Sequence, residues 1–160
     1  MSWATLPAMA DRTAPSAQSL ALSRDEVVDY VTRVWPRAGR SYAEGLKELR
    51  PGWCRFERVA TELDERPGGT MRGPLLMEAV DQAAFALVLG HLGDAALAVT
   101  SHLSVEFLRR PAIGTLIVET RLRKLGRTQI TMTCDLHVDT PDPDRPVAIA
   151  TVAYSQALLG

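Results

Sequence analysis

The chain has 160 residues, 46% of them apolar and 23% charged, with a formal net charge of -1. That describes one soluble domain around one core and leaves little room for two. Ten Pro, eleven Gly and 6% aromatic residues lie near the average and exclude a collagen, a mucin stalk or a wholly disordered chain. The balance of charge excludes a globally basic nucleic-acid binder, whose affinity comes from many cations neutralising phosphates.

Residues 1–19 are rich in Ala, Ser, Thr and Pro and have no basic start, so they read as a mobile leader and not a secretory signal. A single α+β domain is expected over residues 20–160. Ser23-Arg24-Asp25-Glu26 has capping-box spacing. Val27, Tyr30, Val31 and Val34 follow at i, i+3, i+4 and i+7, so an extra N-terminal helix packs one face down. Pro36 is expected to stop it, with residues 37–40 as the exit. Residues 45–49 and 53–63, separated by Pro51-Gly52, read as two strands joined by a turn.

The loop from Arg66 to Pro74 feeds a long helix that ends between Gly90 and Gly93. Residues 75–92 are long enough to raise a membrane question, but Glu78 and Asp81 near the middle would each cost about 2.5–3.5 kcal/mol in a bilayer. The helix is therefore expected to be buried inside a globular protein. From Ala95 the period changes to two. Leu103, Val105 and Phe107 alternate with His102, Ser104 and Glu106, and the pattern repeats in residues 116–123 and 130–139. Residues 147–158 supply the last strand. One antiparallel sheet has one apolar face, so the economical arrangement wraps it around the long helix.

Glu78, Asp81 and Gln82 stand at i, i+3 and i+4 and line one stripe of that helix. The stripe admits two readings. A carboxylate in apolar surroundings is a candidate base or nucleophile, or the acids face solvent or a subunit seam and pair there with Arg. Gly73 sits where the first amides of a helix have no internal acceptor, a ready site for an oxygen that becomes negative during acyl transfer.

Residues Gly69 to Pro74, Asp81 eight residues after Gly73, and the run Leu103 to Pro111 together resemble the hot-dog-fold acyl-CoA thioesterases of the phenylacetic-acid-pathway type. The resemblance covers about Tyr42 to Leu158. It implies a long helix wrapped by an antiparallel sheet, dimerisation edge to edge, and active sites at the dimer interface. It makes Asp81 the nucleophile or general base, reaching a thioester bound largely by the other subunit. Gly73 becomes the oxyanion donor, and Thr100 a hydroxyl that helps orient the attacking water. Three positions depart from the family pattern: Arg66 stands for a common active-site Asn, Arg72 for the usual His, and Pro74 for the usual second Gly. The last change removes one backbone donor.

Coenzyme A, here part of the substrate and not a cofactor, carries phosphates that need cations. Between Arg109 and Arg127 the chain has a local excess of five positive charges. Arg121 and Arg123 alternate with apolar residues as an exposed strand face does. Arg110, Lys124 and Arg127 lie beside turns and are candidate phosphate contacts, joined as substrate-binding candidates by Arg66 and Arg72. Met77, Phe85 and Leu89 are candidate linings of the acyl chamber.

His91, His102 and His137 have no nucleophile at a telling spacing and are expected at the surface or an interface. No Gly-x-Ser-x-Gly elbow is present. Cys54 and Cys134 lie in strand patterns with no CxxC and no His at metal-ligand spacing, so they read as packing residues; no metal is expected. The expected protein is a cytoplasmic homodimer or dimer of dimers that hydrolyses an acyl-CoA, with no nucleic-acid or membrane partner. A hot-dog protein that only binds an acyl ligand or serves a structural role is the alternative. A dehydratase fits less well, since no His and acid pair near Asp81.

Overall fold

The computed structural model describes residues 16–156. Most of the expected leader, and residues 157–158 of the expected last strand, lie outside the described residues.

Helix α1 (Arg24–Val34) starts as its capping box dictates. The Glu26 amide donates to the Ser23 hydroxyl, and the Glu26 carboxylate accepts from the Ser23 amide at 2.8 Å. Val27, Tyr30 and Val31 are buried. Residues 37–40 are not an exit loop, however. Pro36 opens a second helix, α2 (Pro36–Gly45). The two effects have one cause, because a residue without an N–H interrupts a helix it would continue and does no harm in the first turn of a helix it begins. The expected single extra helix is thus a pair. Gly39 lets the pair close, since a Cβ there would lie 2.6 Å from the Thr32 hydroxyl of α1.

Strands β1 (Leu46–Arg50) and β2 (Trp53–Val59) follow, turning through Gly52 at φ 75°. The second is shorter than its sequence pattern suggests. From residue 60 the chain leaves the sheet through a 3-10 turn at Glu62–Asp64 and a two-strand ribbon, β3 (Glu65–Arg66) with β4 (Thr70–Met71). Helix α3 (Gly73–Leu92) comes next, then β5 (Val99–Phe107), β6 (Thr115–Leu125), β7 (Gln129–Val138) and β8 (Ala148–Ser155).

Six strands form one antiparallel sheet in the order β1-β2-β6-β7-β8-β5. Helix α3 touches every strand of it. By length and composition α3 could cross a membrane, yet 72% of its most apolar window is buried inside the protein. This is the α+β hot-dog arrangement expected from the sequence, with the core between α3 and the sheet.

Two consequences position the site. The sheet encloses α3 except along one stripe, where Pro74, Met77 and Glu78 are exposed and Asp81, Gln82 and Phe85 half-buried. Strand β5 is an edge strand beside that stripe, and its alternation does not yield a buried face. Leu103 and Val105 are half-buried, while Val99 and Phe107 are 60% and 52% exposed. An edge with open backbone groups and apolar side chains is a template for pairing with another strand.

Candidate active site

The three polar residues of the α3 stripe have separate roles. Glu78 forms an ion pair with Arg58 at 3.3 Å, and the Gln82 side-chain amide donates to the Ser41 hydroxyl at 3.1 Å. Asp81 is different: its Oδ1 accepts from the Thr100 hydroxyl at 2.5 Å and from the Tyr154 phenol at 2.7 Å. Thr100 and Tyr154 face each other in the β5–β8 register, so the sheet presents two hydroxyls to one carboxylate oxygen. Phe85, one turn beyond Asp81, stacks on the Tyr154 ring at 5.8 Å and meets Tyr42 edge-on at 6.5 Å. Burial, and next the Asp81 charge, push the phenols of Tyr42 and Tyr154 well above their ordinary value, so both stay protonated.

The chain's other predicted pole lies at the start of α3. Gly73 borders a cleft of about 440 Å³ with Arg66, Met71, Phe107 and Arg110 on its walls. A Cβ on Gly73 would come 3.3 Å from the Phe107 ring, so the absence of a side chain lets β5 end close over the helix start. Asp81 is not on the wall of this cleft. At 1.5 Å per residue, the eight residues from Gly73 to Asp81 span about 12 Å of helix, too far for both to act on one carbonyl within a single chain.

The candidate cations divide in the same way. Arg110 follows β5 at the Gly73 end. Lys124 and Arg127 are exposed at the β6–β7 hairpin, at the end of the sheet where β5 begins, since Gln129 and Val99 both pair with Ser155. The basic segment is therefore not one patch within a chain. Arg121 is bound by Asp135 at 2.7 Å, Arg123 by the Thr133 hydroxyl at 2.7 Å, and Arg109 by the Pro146 carbonyl at 2.5 Å.

Arg72 is also engaged. Its guanidinium lies 2.9 Å from Asp64 Oδ1, and its amide donates to the Asp64 carbonyl. Asp64 is 3% exposed, and Thr61 donates to its Oδ2 through both amide and hydroxyl. Met77 is 40% exposed on the open stripe, whereas Leu89 is fully buried in the core. The histidines depart further from expectation: His91 and His137 are buried, at 3% and 2% exposure. His91 bridges a loop and the N-terminal segment, accepting from the Gly52 amide at 3.0 Å and meeting the Ser16 carbonyl at 2.9 Å.

Tyr154 is not among the residues expected from the sequence. Its signal was present in the row Ala148, Ala150, Val152, Tyr154, an inward-facing parity of β8 that ends in a residue able to present a hydroxyl.

A long helix wrapped by an antiparallel sheet, with Asp81 held by two hydroxyls and Glu78 paired with Arg58 on its open stripe, defines a hot-dog protein. The sequence model of the Thioesterase superfamily matches residues 68–143. A proposed thioesterase from Silicibacter sp. is 34% identical, with 87% of this chain and 94% of that one covered and a TM-score of 0.75. A proposed thioesterase from Ralstonia eutropha, related to phenylacetic acid degradation, is 26% identical over 84% and 99% of the two chains, with a TM-score of 0.68. At 19% identity, a Streptococcus mutans protein solved with acetyl-CoA shares the fold, with coverage of 71% and 87% and a TM-score of 0.62. No curated protein sequence matches the chain. The chain belongs to the thioesterase superfamily and is a thioester hydrolase.

Proposed function

We propose that the protein hydrolyses an acyl-CoA thioester at a site shared between two copies of the chain. The observation that carries the proposal is the separation of Asp81 and Gly73 along one helix. Strand β5 runs beside the open stripe with Thr100 at the Asp81 end and Phe107 at the Gly73 end. If β5 pairs antiparallel with β5 of a second copy about a two-fold axis, each Thr100 end lies beside the partner's Phe107 end. Asp81 of one protomer then faces the helix start of the other. The apolar side chains on the β5 edge, Val99 and Phe107, would be covered.

In that arrangement the amide at Gly73 of the partner subunit stabilises the thioester oxygen as it becomes negative. Asp81 takes a proton from water as the water oxygen attacks the carbonyl carbon. The carbon–sulfur bond breaks, and the departing thiolate takes that proton, giving the free acid and coenzyme A. Direct attack by the carboxylate is the other route open to Asp81. Arg66 and Arg110 stand in the cleft beside Gly73 and suit the phosphates of the coenzyme, with Met77 and Phe85 toward the acyl group. The acetyl-CoA held by the Streptococcus mutans relative supports this substrate class.

Thiol release from short, medium, long and aromatic acyl-CoAs tests the reading. The wild type should turn over at least one ester and Asp81→Ala none. Mixing Asp81→Ala with Gly73→Val should restore about a quarter of wild-type activity, because half the dimers are mixed and each mixed dimer holds one intact site of two. Coenzyme A ester binding without turnover would favour a ligand-binding protein, and a monomeric mass at micromolar concentration would rule out the shared site.

A further inference from the structure

Resting on the assignment of Asp81 as the reacting carboxylate, we infer that Tyr154 is its positioning residue, acting with Thr100 as a two-hydroxyl clamp that occupies Oδ1 and leaves Oδ2 to meet the water. Both hydroxyls donate to the same oxygen, at 2.7 and 2.5 Å, and the phenol, whose shorter contact is to Oδ1, also lies 3.2 Å from the Asp81 carbonyl. Among the described residues Oδ2 takes no hydrogen bond. A phenol has one proton to give, and the burial of Tyr154 at 3% exposure beside a negative charge keeps that proton in place.

The ring is fixed independently of the hydroxyl. Tyr154 stacks on Phe85 and is held in register between Ile130 of β7 and Thr100 of β5. A rigid donor therefore grips a side chain that otherwise has two free torsions on a solvent-open stripe. Holding a carboxylate in one rotamer matters because small misplacements of a reacting group cost large factors in rate. The clamp also changes the part played by Thr100. Its single proton is directed to Asp81, so toward a water it can only accept.

Tyr154→Phe removes the hydroxyl and keeps the stacked ring. With an acyl-CoA that the wild type hydrolyses, Tyr154→Phe and Thr100→Ala should each lower kcat about tenfold, the scale of one hydrogen bond to a charged group, with KM within about twofold. The double variant should lose about a hundredfold or more, and Thr100→Ser should recover most of the Thr100→Ala loss. Wild-type kcat in Tyr154→Phe, or a loss confined to KM, overturns the inference. Should Asp81→Asn also retain the wild-type rate, the assignment of Asp81 itself has failed; should Asp81→Asn be inactive and Tyr154→Phe unimpaired, only the clamp has. A crystal structure of the double variant gives a readout free of turnover: Asp81 is expected to leave its present rotamer, and an unmoved side chain overturns the clamp.

Discussion

Arg72→Ala separates a residue that holds the fold from one that holds substrate. The guanidinium lies 2.9 Å from Asp64, whose side chain is 4% exposed while that of Arg72 is 38% exposed. A hydrogen bond to a charged group contributes about 1.5–3 kcal/mol, and water reaching the Arg72 side reduces this to about 1–1.5 kcal/mol. For a domain of this size the loss corresponds to about 3–6 °C in Tm. The effect has a pH signature. Burial alone would raise the Asp64 pKa, but the Thr61 amide, the Thr61 hydroxyl and Arg72 outweigh it and hold the carboxyl below its ordinary value of 3.8. A value lower in the folded than in the unfolded state gives stability that is complete above the unfolded value and lost as pH falls through the folded one. Urea denaturation at pH 7 should show the deficit of Arg72→Ala, and the gap to wild type should narrow at pH 3. KM for the preferred ester should stay within about twofold, since no ligand contact is lost. Unchanged stability together with a tenfold rise in KM would refute the reasoning and return Arg72 to the substrate.

Gly45→Ala places a Cβ 2.4 Å from the Phe56 ring and 3.0 Å from the Glu57 carbonyl, so calorimetry should find it destabilised by about 1–3 kcal/mol. Burial pushes the thiol of Cys134 up to about 12 and that of Cys54 higher still; neither should react with a disulfide reagent until the chain is unfolded. Burial also lowers the His91 pKa from 6.5, against the opposing effect of the Ser16 and Ser19 carbonyls. Below about pH 6.5 the unfolded chain gains a proton that the folded one resists, so stability should fall with pH there. His91→Gln should flatten that slope in denaturant titrations, and an unchanged slope would place its origin elsewhere.

The long helix was legible because it is apolar on most sides and carries its own start and stop signals; the strands were legible from period two. The second N-terminal helix was not, because a Pro after a helix signals its end as readily as the start of another, and α2 (PRAGRSYAEG) contains two Gly and no long apolar row. Among the candidate site residues, Asp81 and Gly73 show themselves through local rules, a charge on an apolar helix and a Gly at a helix start. Thr100 required the family resemblance. Tyr154 required tertiary register, since 73 residues separate it from the carboxylate it binds. The basic segment misled for the converse reason. Nearness in sequence placed six cations together, but one long β6 strand carries Arg110 and Arg127 to opposite ends of the sheet.

The departures at the start of α3 set up a gain as well as a loss. Of the first three amides of the helix, that of residue 74 is absent because it is Pro, and Leu75 donates to the Arg72 carbonyl at 3.2 Å. In the proposed site the oxyanion would therefore rest on the Gly73 amide alone. Removing one donor from an oxyanion site costs about 10²–10³ in kcat, so restoring one with imperfect geometry should still be visible. Pro74→Ala supplies the missing N–H at an exposed position without the flexibility of Gly. It should raise kcat at least about threefold and cost about 0.4–1 kcal/mol of stability, the reverse of the usual gain from Pro. Parallel measurement of kcat and Tm decides the matter. If Tm falls and kcat does not rise, the helix start is not where the thioester oxygen sits, and the role of Gly73 falls with it.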